Sequence, residues 1–145
     1  MVIRISEEDI RPMGRVARGV KGISLGAGDR VVAVENITAG DELLAITEKG
    51  FGKRTKLKEF RAQGRGGKGL IGIRCTNKNG MVAGVVAISP GDEIMIITKD
   101  GIMIRTFTDD ISFIGRATQG VKVMNLGEND QVQAVAKVVV KDDEE

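Results

Sequence analysis

The feature that most constrains this chain is that it repeats itself. "DELLAITEKGFGKRT", starting at Asp41, realigns with "DEIMIITKDGIMIRT", starting at Asp92, at a shift of 51 that superimposes Gly50 on Gly101 and Arg54 on Arg105. The same shift carries "GRGGKG" at Gly64 onto "GRATQG" at Gly115, and a shift of 50 the other way carries it onto "GRVARG" at Gly14 and Arg54 onto Arg4. A unit this short cannot bury its apolar face alone and must stack on its neighbours. Three units follow: residues 1–40, 41–91 and 92–140, with 141–145 an acidic tail expected to be disordered. "TAGDEL" and "SPGDEI" mark the joints. The first unit lacks the Asp-Glu-apolar run that opens the others, so a segment of a longer protein is expected.

Each unit reads as strands. "ELLAIT" and "EIMIIT" are apolar, β-branched runs, and Gly50 and Gly101 supply the positive φ that hairpin turns demand. "GKRTKL" and "IMIRTFT" return. "GLIGIRC" and "GVKVMNL" read as third strands, and "GMVAGVVAI" and "VQAVAKVVV" close the unit. Twenty glycines against two prolines suit tight turns. No segment sustains a helical period, although "SEEDIRPMG" has room for one turn. The expected fold is all-β, with four-stranded blades forming part of a propeller-like wheel.

Composition removes whole classes of chemistry. With no His and a single Cys, a zinc site of the usual kind is nearly excluded. Ser-His-Asp and Cys-His nucleophiles are impossible, as is a tyrosine nucleophile. Cys75, in "GIRCTN", is expected to be a buried strand thiol. No cofactor is implied. The sequence has neither a membrane-length apolar run nor a signal-peptide pattern, so a cytoplasmic location is the default. The net charge of +2 hides an uneven distribution: +1 over residues 1–40, +6 over 41–91 and −5 over 92–145. One basic face is expected on a nearly neutral molecule.

That face centres on "AQGRGGKGLIG". Gly64, Gly66 and Gly69 spell G-x-G-x-x-G, but the next segment alternates like a strand and the copies at Gly14 and Gly115 lack the middle glycine. A dinucleotide loop needs a helix there. Two readings stay open. In one, the glycines serve tight turns between blades. In the other, Gly66 and Gly67 let backbone amides approach an oxyanion while Arg65 and Lys68 supply charge, with Gln63 beside them. Lys53, Arg54, Lys56, Lys58 and Arg61 would widen that footprint beyond one phosphate, and Arg15, Arg18 and Arg116 belong to the neighbouring copies. With Phe as the only aromatic type, present four times, stacking on bases is disfavoured and core packing is expected of each Phe. Phosphate contacts alone would give affinity without sequence reading, and a rigid curved rim would favour bent duplex. This requires Arg54, Arg65 and Lys68 to share one surface.

"GVKGISLGAGDRVVAV", "GFGKRT", "KNGMVAGVVAI", "IMIITKDGIMIRT" and "GRATQGVKVMNL" resemble the C-terminal domain of DNA gyrase A, a six-bladed β-pinwheel that wraps DNA. The three copies are similar to its blades four to six. The family box Gln-(Arg/Lys)-Arg-Gly-Gly-(Arg/Lys)-Gly is matched by Gln63, Arg65, Gly66, Gly67, Lys68 and Gly69, while Gly64 departs from it. The resemblance implies double-stranded DNA binding by a non-catalytic module. In the intact enzyme it would wrap a duplex with positive handedness, and the separate ATPase chain, gyrase B, would drive strand passage to negative supercoils. Cleavage belongs to the other half of gyrase A, whose nucleophile is a tyrosine. The equivalent domain of topoisomerase IV and a protein-binding propeller are the competing readings. The chain itself is expected to be a monomer.

Overall fold

Both Asp-Glu-apolar runs become inner strands of antiparallel sheets in the computed structural model, which describes residues 1–38 and 41–139. The strands are β1 (Glu42–Thr47), β2 (Phe51–Lys56), β3 (Val82–Ile88), β4 (Glu93–Thr98), β5 (Met103–Phe107), β6 (Val121–Lys122) and β7 (Val132–Lys137). One sheet has the order β3-β1-β2-β6 and the other β5-β4-β7. Gly50 and Gly101 close the β1–β2 and β4–β5 hairpins at φ 81° and 87°, each donating its N–H three residues back, to Thr47 and Thr98. The register repeats with the sequence: Leu44 faces Arg54 as Met95 faces Arg105. Bulges also recur, at Ile46/Thr47 and Ile97/Thr98.

The fourth strand of the first sheet is not its own. β6 lies in the third unit and pairs with β2 of the second, Phe51 facing Lys122 and Gly52 facing Val121. "GVKVMNL" therefore contributes two strand residues to a neighbour, and "GLIGIRC" contributes only the Val2–Leu70 bridge. These segments leave their own unit to dock on the preceding one. There Gly120 and Gly69, both at φ 76°, have Cβ positions directed at the backbones of Gly52 and Val2. A side chain would be blocked at both.

The core fills the gap between the sheets. Leu44, Ile46, Val86 and Ile88 of the first meet Ile94, Ile96 and Val132 of the second, with Ile111 and Met124 at the margin. Each such side chain contributes about 1.5–3 kcal/mol by leaving water. Phe60 and Ile73 are buried apart from that cluster, and Phe60 lies where the second unit meets the first, its carbonyl accepting from Arg4. Short 3-10 turns recur at Glu7–Asp9, Leu57–Glu59 and Thr108–Asp110, the first of them within the segment credited with a single helical turn.

Two expectations are corrected. Cys75 is exposed and outside any strand, because its segment runs along the neighbour rather than inside a sheet. Phe60 is buried and Phe51 half-buried, but Phe107 and Phe113 are 53% and 42% exposed. The tail at 141–145, Val140, and the Ala39–Gly40 part of "TAGDEL" lie outside the described residues. Among the described residues no helix is long and apolar enough to cross a membrane.

Candidate nucleic-acid interface

The basic middle third divides into two populations. Lys53 and Arg54, on β2, point into the joint between the second and third units. The Lys53 ammonium is fully buried and donates to the carbonyls of Gly115 (2.8 Å), Arg116 (2.6 Å) and Thr118 (3.3 Å) and to the Thr118 hydroxyl (3.1 Å). Burial lowers its pKa from 10.5 to about 8; Glu59 opposes the shift and Arg116 adds to it.

Arg54 is 7% exposed. Its Nε donates to Ile111 O (2.6 Å) and its Nη2 to Asp109 O (3.2 Å), while Nη1 bridges Glu42 and Asp109, each at 3.2 Å. The guanidinium also stacks 4.0 Å from the Phe113 ring. Arg4 repeats the device at the first joint, donating to Phe60 O (3.2 Å) and Leu57 O (3.5 Å). The expectation that Lys53 and Arg54 face a duplex is thus corrected. Their hydrogen-bonding capacity is spent inside the protein, and a shared surface for Arg54, Arg65 and Lys68 does not exist.

The Gly-rich stretch is a turn, at residues 64–67, pinned against the first unit. The Gly66 N–H donates to Gly22 O (2.6 Å), the Ser24 hydroxyl to Gly66 O (2.6 Å), and the Ser24 N–H to Gly67 O (2.8 Å). Gly66 has φ 84°, which a side chain rarely adopts. Its amide is therefore not free for an oxyanion, contrary to the open-cradle expectation. Gln63 is half-buried, and its N–H donates to Arg4 O. Turn geometry and charge are compatible here: the glycines build the joint while Arg65 and Lys68 stay exposed. Arg65 is steadied by Asp9 O (3.2 Å) and Lys21 O (3.4 Å).

The remaining cations lie outside. Arg15, Arg18, Lys56, Lys58 and Arg61 are exposed, and Arg116 is half-buried with Nη1 donating to Ile71 O (3.3 Å). Arg15, Arg65 and Arg116 follow the first glycine of the three equivalent turns. They therefore sit at one position of successive units.

The structure adds a group that charge counting missed. Phe51 is flanked by Lys78 (5.7 Å) and Lys122 (6.0 Å), and with Lys49 they line an open groove of about 620 Å³. Lys122 belongs to the acidic third, so block charge hid it. Its place in the register opposite Phe51 is the signal that finds it.

Inter-unit strand exchange, a core shared between sheets, and basic turns at equivalent positions define a repeat β protein of the propeller class. The chain belongs to the DNA gyrase C-terminal β-propeller family, whose model matches residues 1–38, 41–89 and 92–138. It is 44% identical over 144 residues to the DNA gyrase A protein of Staphylococcus epidermidis, covering 98% of this chain and 16% of the relative. Identity is also 44% to the gyrase A protein of Staphylococcus aureus, over 146 residues, with 99% and 16% covered. A solved DNA gyrase A C-terminal domain superposes with a TM-score of 0.87 at 30% identity, covering 93% of this chain and 46% of that one. A solved C-terminal domain of DNA topoisomerase IV gives 0.86 at 30%, covering 92% and 42%. The chain thus spans about a sixth of its curated relatives' length and under half of the solved domains.

Proposed function

We propose that the chain binds double-stranded DNA through phosphate contacts, without reading sequence, as a non-catalytic part of a gyrase A protein. The supporting observation is the exposure of Arg15 and Arg65 on equivalent turns, with the half-buried Arg116 at the third, flanked by the exposed Arg18, Lys56, Lys58, Arg61 and Lys68. Gln63, Gly66 and Gly67 hold the middle turn rather than touch phosphate. In the intact protein the same track would wrap a duplex and, with gyrase B, support ATP-dependent negative supercoiling on the bacterial chromosome in the cytoplasm. DNA cleavage by a tyrosine would fall to another part of gyrase A, since this chain has none.

Titration of mixed-sequence duplex tests the reading. Contact with about three to five phosphates lowers affinity by about one and a half to three decades between about 50 and 200 mM salt. Salt-independent affinity, or none at the lower salt, overturns it. The topoisomerase IV domain superposes equally well, but the 44% identity to gyrase A favours the gyrase reading.

A further inference from the structure

We infer that the groove around Phe51, at the joint between the second and third units, is a binding site for single-stranded nucleic acid, separate from the duplex track on the turns. The cations that build it are not demanded by the fold. Arg74 stands where the first unit has Ser24, Lys78 where it has Gly28, and Lys122 where the second unit has Ile71. The backbone is nevertheless the same at both joints: the Ser24 N–H donates to Gly67 O as the Arg74 N–H donates to Thr118 O, each at 2.8 Å. The third unit has neither Lys nor Arg between Val123 and Gln131, and Ile102 at the position of Phe51. One joint has thus collected a ring and cations that the other copies of the unit fold without.

The fold brings these residues into line. Segment 74–78 runs beside 117–122: Arg74 Nε donates to Ala117 O (3.5 Å), the Thr76 hydroxyl meets the Gln119 side chain (3.3 Å), and Lys78 and Lys122 both lie over the Phe51 ring. Asn79 fixes the loop that carries Lys78. Fully buried, it accepts from the Thr76 N–H (2.7 Å) and donates to Arg74 O (2.9 Å) and Gln119 O (3.0 Å). Lys49 donates to Asn77 O on the same loop. The lysines therefore project from a frame already ordered, which lowers the entropy cost of binding. Asp130 also lines the groove, but it is buried and its Oδ1 accepts from the N–H groups of Asp100 (3.0 Å) and Gln131 (2.8 Å). Lys49, Lys78 and Lys122 are all exposed, so the charge the groove shows to solvent is positive.

Shape and ring together select the single strand. A groove of about 620 Å³ is of small-molecule size, wide enough for a base and too narrow for a duplex. The ring of Phe51, half-buried in the lining, offers a stacking surface that only an unpaired base can use, because a duplex keeps its base faces covered. The ammonium groups of Lys78 and Lys122 lie 5.7 and 6.0 Å from the ring centroid, at the outer limit of cation–π contact, and are free to turn to phosphates. The expectation of core packing for every Phe is set aside for this one.

Fluorescence anisotropy of the full chain with a labelled thymidine oligomer, an abasic oligomer of equal length and a mixed-sequence duplex tests this. The thymidine oligomer should bind about tenfold more tightly than the abasic one. Phe51→Leu, which keeps an apolar side chain in the joint, should erase that preference and leave duplex affinity unchanged. Lys78→Ala with Lys122→Ala should lower the salt slope for the thymidine oligomer by about 1.4, the equivalent of two phosphates. Equal binding of the thymidine and abasic strands overturns the inference, as does a preference that survives Phe51→Leu, or a loss of duplex and single-strand binding together in that variant. Displacement of the thymidine oligomer by polyglutamate as readily as by unlabelled oligomer would assign the groove to an acidic protein instead. Duplex binding without single-strand binding sinks this inference alone and leaves the proposed duplex track standing.

Discussion

Lys53–Arg54 and Arg65–Lys68 are both basic pairs of the second unit, about a dozen residues apart, and both contribute to the same +6 block. Lys53 and Arg54 are buried, sharing between them the carbonyls of Asp109, Ile111, Gly115, Arg116 and Thr118, with two carboxylates on the arginine. Arg65 and Lys68 are exposed on a turn whose backbone is fastened to the first unit. The difference teaches that charge density in a repeat protein mixes two jobs. Cations on a strand that faces the next unit act as fasteners; cations on the turn between units remain available to a polyanion.

The largest effect should come from Arg54→Ala, which leaves Glu42 unpaired in the joint and costs about 3–5 kcal/mol by denaturant unfolding. Under conditions where the variant is folded, its salt slope for DNA should match the parent's. A lost slope would place Arg54 on the DNA surface and erase the distinction.

Lys53→Met should cost less, about 1–3 kcal/mol, by stripping the donors from carbonyls that stay buried. It also carries a pH signature. The native lysine gives up its proton near pH 8 and an unfolded one only near 10.5. Between those values the unfolded chain binds more protons, so raising the pH stabilises the parent relative to the variant; below pH 8 the difference is flat. Unfolding of both proteins at neutral and at mildly alkaline pH reads the sign.

Arg65→Ala with Lys68→Ala should have the smallest structural effect, within about 1 kcal/mol, since both side chains lie on the surface. The DNA salt slope should nevertheless fall by about 1.8, the equivalent of two phosphates. Unfolding of this variant would favour a purely structural turn.

Much is legible because the repeat is strict. Glu42–Thr47 and Glu93–Thr98 are readable as strands from apolar, β-branched runs bounded by Gly50 and Gly101, and those hairpins form. The segments after the Gly-Arg turns read, wrongly, as strands of their own unit. Their apolar alternation is real, but it serves a partner strand in the neighbouring unit, and periodicity does not say which unit a strand joins. Cys75 and Phe113 are misplaced for the same reason, since both lie on segments that cross a joint. Lys122 escapes notice because the acidic balance of its third of the sequence conceals a cation that the β2–β6 pairing brings beside Phe51.

By itself, the sequence determined the repeated unit, its hairpins and the positions of its basic turns, all of which depend on residues close together along the chain. Tertiary structure alone decided which cations become fasteners inside a joint and which stay at the surface, and which strand completes which sheet. Burial of a charge and the carbonyls that satisfy it come from residues more than fifty positions apart, and no local pattern encodes that meeting.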